Sequence, residues 1–172
     1  GGALGAKGWF HVTRNQWVRA YLSGKKGYSN MLKVVELDPE VYDAYLGIGM
    51  FEYYAATLGP TLKALASFSI RGDRERALRH LRFAEFKSRF VRLEAAYFQW
   101  NAANDEQRYD DAERKAAALT HSFPDSPLFL WCRIKTAFDQ KKWDVVMQEC
   151  ERYILRANAG PQREFYLSPY EL

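Results

Sequence analysis

RYDDAERKAAALTHSFPDS, Arg108 to Ser126, reads as a charged amphipathic helix held between two punctuation marks. An aromatic-acidic turn, Tyr109-Asp110-Asp111, opens it. Acidic side chains suit that end because they offset the positive pole of the helix dipole. Pro124, 15 residues after Tyr109, closes it, since proline has no N–H to continue the backbone ladder. The same ending stands at Leu37-Asp38-Pro39-Glu40. Pro39 and Pro124 lie 85 residues apart, which is two units of 34 plus 17. A period near 34 with this punctuation predicts stacked helical hairpins.

The 172 residues suffice for one ordinary domain or for four to five such hairpins, and the composition supports a continuous core: 48% hydrophobic and 16% aromatic. Val and Ile do not alternate with polar residues over a strand-length window, so the expected class is all-α. The net charge of +4 is unevenly spread, because residues 71–92 hold eight Arg or Lys against three acidic residues. Cys132 and Cys150 fall on the two helices of one predicted hairpin. They sit in no metal-ligand spacing, and two buried thiols are favoured over a bridge.

Along the chain, apolar spacing predicts helices over 5–22 and 28–37, with Ser23-Gly24-Lys25-Lys26-Gly27 as the turn between them. A helix over 41–58 follows, in which Gly49 allows a neighbouring helix to come close. Gly59-Pro60 breaks it, and an apolar helix over 61–70 is the insert in the repeat. Gly72-Asp73 starts the basic helix over 74–88, with Ala77, Leu81 and Ala84 inward. Further helices are expected over 91–104, 109–122, 127–140 and 143–158. Gly1-Gly2-Ala3-Leu4-Gly5 reads as the interior of a longer protein, and Ser168-Pro169 as the opening of another helix.

Helix pairs of this length resemble tetratricopeptide repeats. Tyr45, Ile48 and Gly49 stand where that pattern has an aromatic, Leu and Gly, while Tyr109, Ala112 and Pro124 stand at its turn aromatic, alanine and closing proline. Trp143 takes the turn position of the last repeat, with Val146 for the alanine and Cys150 for the aromatic. LDPEVYDAYLGIGMFEYY, an apolar insert and GDRERALRHL are also similar to bacterial repeat proteins of unassigned role, often exported to the cell envelope; that resemblance implies the envelope or periplasm, with the cytoplasm as the alternative. The expected architecture is an α-solenoid of antiparallel hairpins, a TPR-like right-handed superhelix with an inserted apolar helix. It forms a single domain over 1–172, with repeats at 8–39, 42–90 (insert 59–72), 92–125 and 127–159, and a further helix beginning in 161–172.

The resemblance implies that the first helix of each repeat lines a concave groove for extended peptides or helices. Repeats starting near Gly8, Tyr42, Leu93 and Pro127 put Trp9, Val12, Gln16, Arg19, Leu46, Met50, Tyr53, Tyr97, Asn101, Trp131, Lys135 and Phe138 at groove positions. Tyr53, Tyr97, Trp131 and Phe138 are the expected anchors, because aromatics bury much area at low entropy cost. Asn101 and Lys135 are the expected polar contacts. The competing reading packs these side chains between repeats.

The function expected is non-catalytic: a scaffold for a protein or peptide partner. His11, His80 and His121 are scattered, no glycine-rich phosphate loop appears, and the acidic pairs lack calcium-loop spacing, so no enzyme chemistry, cofactor or metal is expected. Residues 44–70 hold only Glu52 and Lys63 as charges, but Gly59-Pro60 interrupts them. A buried helix plus an insert packed on the solenoid is expected there rather than a membrane span; the alternative is an exposed insert whose apolar stripe, Leu62, Leu65, Phe68 and Ile70, docks a partner or a second copy. The alternatives are an accessory domain of a larger enzyme and an anionic-partner binder using the basic helix of 71–92. Asp73, Glu75 and Glu85 interleave with those cations, so a solvated face is favoured over nucleic acid.

Overall fold

The computed structural model describes residues 1–57 and 73–159, and among them every regular element is a helix. In chain order these are α1 (Gly2–Thr13), α2 (Trp17–Leu37), α3 (Ala44–Thr57), α4 (Arg74–Lys87), α5 (Arg92–Asp105), α6 (Tyr109–Ser122), α7 (Pro127–Asp139) and α8 (Trp143–Ala159). The expected insert helix over 61–70 and the helix beginning in 161–172 lie outside the described residues. The chain forms two compact units, Gly1–Phe98 and Gln99–Leu172, with the boundary inside α5.

Three of the helix breaks share one chemistry. Asn15, Gln107 and Lys141 take positive φ, 55°, 58° and 59°. At each, the next residue's N–H reaches back five residues, Gln16 to His11, Arg108 to Ala103 and Lys142 to Ala137, at 2.9, 2.9 and 3.0 Å. That bond together with the one from the left-handed residue itself is the Schellman ending, which satisfies carbonyls a helix end would otherwise leave bare. An aromatic then opens the next helix: Trp17, Tyr109 and Trp143. Gln107 and Lys141 are 34 positions apart, so in the second unit the repeat spacing is a repeat of turn geometry.

The first break overturns an expectation. Ser23–Gly27 is not a turn, because α2 runs through it and the chain reverses at Arg14–Gln16 instead. Two glycines in a helix cost about 1 kcal/mol each in propensity. Close packing offsets that here: a Cβ on Gly27 would stand 3.3 Å from the Gly1 carbonyl oxygen and 3.4 Å from the Gly5 nitrogen, so α1 reaches α2 backbone to backbone.

In the first unit, α1 packs on α2, α2 on α3 and α3 on α4. Gly49 carries the α3–α4 approach as expected, since a Cβ there would meet Leu81 Cγ at 2.8 Å and the Ala77 oxygen at 3.0 Å. Ala77, Leu81 and Ala84 are fully buried on the inner face of α4, and Asp73 caps it by accepting the Arg76 N–H at 2.9 Å. In the second unit α6 packs on α7 and α7 on α8, around Leu130, Ile134 and Tyr153. Trp100 Nε1 donates to Thr136 Oγ1 at 2.9 Å inside that unit. Cys132 and Cys150 are both free thiols, and burial pushes each thiol's pKa up.

Candidate functional site

Three helices of the first unit enclose an apolar cleft of about 700 Å3. α1 contributes Gly2, Gly5, Ala6, Trp9 and Val12; α2 contributes Trp17, Val18, Tyr21, Leu22, Tyr28 and Met31; α3 contributes Leu46, Gly47, Met50, Phe51, Tyr54 and Ala55. Each set recurs at three- and four-residue steps, the spacing of one helix face. Small residues on α1 leave the space that the aromatics of α2 and α3 border. The rings brace one another: Tyr28 stacks on Phe51 at 4.9 Å between centroids, and Trp9 approaches Tyr54 at 6.5 Å. At one end Asp43 Oδ1 accepts the Phe90 and Val91 N–H groups at 2.8 and 3.1 Å, which holds the start of α5. A cleft of this size and lining is of the kind that receives ligands.

Behind the cleft wall lies a buried carboxylate. Glu52, 1% exposed, sits on α3 with its side chain turned toward α2 and α4. Tyr28 Oη donates to its Oε1 at 2.9 Å, and His80 Nδ1 donates to Oε2 at 3.0 Å. Arg76 Nε stands 3.0 Å from Oε1 as an ion pair, off the line of a hydrogen bond. Burial alone would raise the carboxyl pKa; the contacts from His80, Tyr28 and Arg76 outweigh it and hold the group below its ordinary value. The Tyr28 phenol is pushed up to about 12, by burial first and by Glu52 second. Tyr28 therefore has two faces, a ring in the cleft wall and a hydroxyl on the buried charge. Sequence reading counted Glu52 only as one charge in an apolar helix. Its isolation there, with Arg76 and His80 one helical turn apart on α4, was the signal.

The six expected groove residues are distributed differently. Tyr53 is 4% exposed and packs edge-on against Phe98 at 5.5 Å, so it is a core residue and not an open anchor. Tyr97 is half-buried on the first-unit part of α5. In the second unit Trp131 is half-buried against Leu130, Ile134 and Tyr153. Phe138, 54% exposed, meets Trp143 edge-on at 5.5 Å. Asn101 donates to Asp105 at 2.9 Å and Lys135 pairs with Asp139, each one turn along its own helix. None of the six lines the cleft, whereas four other groove positions, Trp9, Val12, Leu46 and Met50, do. The α2 side of the cleft was missed because the turn was placed at Ser23–Gly27.

The basic helix is drawn into internal contacts. Arg76 and His80 face Glu52, and Lys87 lies 5.1 Å from the Tyr42 ring centre. Among the described residues no group of three His, Cys, Asp or Glu is placed to hold a metal ion, and no described helix is long and apolar enough to cross a membrane. No family model, curated protein or solved structure matches the chain.

Proposed function

We propose that the chain is a non-catalytic scaffold of the helical-repeat kind, similar to tetratricopeptide proteins, that receives a peptide or helix in the apolar cleft of its first unit. The cleft carries this reading. It is concave, bordered by aromatics, and its lip residues Val18 and Leu22 are 58% and 59% exposed on α2. Exposed large aliphatics beside a concave apolar surface lower their free energy when a partner covers them. The 34-residue spacing of left-handed turns at Gln107 and Lys141 supports the repeat assignment and, with it, a solenoid arrangement.

The test is anisotropy titration of labelled amphipathic helical peptides against wild type, Leu22→Asp and Leu46→Asp. Leu22 is exposed, so its replacement leaves the fold intact, as circular dichroism will verify. Each variant is expected to weaken binding about tenfold or more, the size of one buried apolar anchor. Unchanged affinity in both would remove the cleft from the binding surface.

A further inference from the structure

The first 35 residues, which build α1 and almost all of α2, hold six Lys or Arg and no Asp or Glu. Acidic residues begin at Glu36, beyond Met31, the last residue of α2 that lines the cleft. Asp43 is the one carboxylate among the described lining residues, and its Oδ1 is engaged by the Phe90 and Val91 N–H groups. The cleft's own walls are apolar, so this basic surround is not balanced from within them.

The charge also sits at the lip. On α2, Arg19 follows Val18 directly and lies three residues before Leu22, while Lys25 and Lys26 lie three and four residues after it. Residues so spaced share a helix face. Arg19 and Lys26 are exposed. An apolar partner face settling between Trp9 and Leu22 thus brings its own flanks against these cations.

We infer that the occupant is an acidic amphipathic helix of about four turns, an inference that rests on the cleft reading above. The length follows from the wall: Trp17 to Met31 on α2 spans about 21 Å at 1.5 Å per residue. The width follows from the lips. A helix about 10 Å across covers the Trp9 side and the Val18–Leu22 side together, where a single acyl chain in the cleft floor leaves both in water. Acidic flanks meet Arg19, Lys25 and Lys26, adding steering and orientation to the apolar contact.

Three fluorescein-labelled peptides of about four turns, with the same Leu stripe and with flanks of Glu, Gln or Lys, test this against the full chain. At 50 mM NaCl the Glu peptide is expected to bind about tenfold tighter than the Lys peptide. In 1 M NaCl, where the Debye length is about 3 Å, the ratio falls to about twofold. Arg19→Glu with Lys26→Glu, both on the exposed surface, inverts the preference while binding of the Gln peptide stays within about twofold. Equal binding of all three peptides, abolished by Leu22→Asp, overturns the acidic partner and leaves the cleft reading standing. Binding by none overturns both. Tighter retention on phosphatidylglycerol vesicles than on the Glu peptide, lost in Leu22→Asp, assigns the surface to lipid and overturns the helix.

Discussion

Glu52 is the sharpest place to test the physical account of the first unit. Its carboxylate is buried and held by Tyr28, His80 and Arg76 from two other helices. Glu52→Ala leaves Tyr28 and His80 without their acceptor and Arg76 without its buried counter-charge, and losing one member of such a buried pair costs about 3–5 kcal/mol. Glu52→Gln keeps the volume, but turns an amide NH2 toward a donor, and is expected to cost about 2 kcal/mol. Tyr28→Phe removes one donor and leaves the carboxylate its other two partners, for about 1 kcal/mol. Urea unfolding followed by circular dichroism at pH 7 should return that order. The pH dependence has a definite sign. The folded carboxyl pKa is lowered, so its contribution is complete above the unfolded value and is lost as pH falls through the folded one. The gap between wild type and Glu52→Gln should therefore close on acidification from pH 6 toward pH 3. Every other carboxylate is common to both proteins, so the comparison reports on Glu52 together with the His80 ring that faces it. A Glu52→Ala protein within 1 kcal/mol of wild type, or a gap that does not narrow with acid, would refute an ionised, donor-held carboxylate.

Two further expectations concern packing. Gly49→Ala gains about 1 kcal/mol of helix propensity but presses its methyl onto Leu81 and the Ala77 carbonyl; overpacking of that kind costs about 1–3 kcal/mol, so thermal melts should show net loss. Gly5→Ala on α1, where an added Cβ meets nothing within 4 Å, should raise stability instead, and equal effects at the two positions would contradict the close α3–α4 approach. In the second unit, Trp131→Ala should lose about 2 kcal/mol or more, because the ring packs on Leu130, Ile134 and Tyr153. Phe138→Ala, on the exposed side, should stay within about 0.5 kcal/mol by urea unfolding.

Much of the architecture was legible because its signals are local. A left-handed turn needs a residue tolerant of positive φ, and an aromatic at the next helix start follows it at Tyr109 and Trp143. The aromatic starts at Tyr109 and Trp143 and the proline stop at Pro124 bound α6, α7 and α8, which lie within a residue or two of their expected ranges. Ala77, Leu81 and Ala84 were likewise legible as the inner face of α4, because its other faces are charged. Ser23–Gly27 failed for a non-local reason. Glycine reads as a breaker in isolation, yet here its missing side chain is what α1 packs against, and tertiary contact overrides propensity.

The site was less legible than the fold, and Tyr53 shows why. α3 carries apolar residues almost all the way around, including Ile48, Met50, Phe51 and Tyr53, so periodicity does not say which side faces solvent. Register borrowed from a repeat pattern put Tyr53 in the groove; neighbouring Phe98 puts it in the core. The side that remains open is fixed by what does not pack there, and the small residues of α1 leave that opening. Glu52 marks the opposite side: a carboxylate can be buried only where donors meet it, so its one charge orients α3 with α4 behind and the cleft in front. On a helix apolar all round, the polar exception carries the orientation, and the partner-facing surface is found by reading away from it.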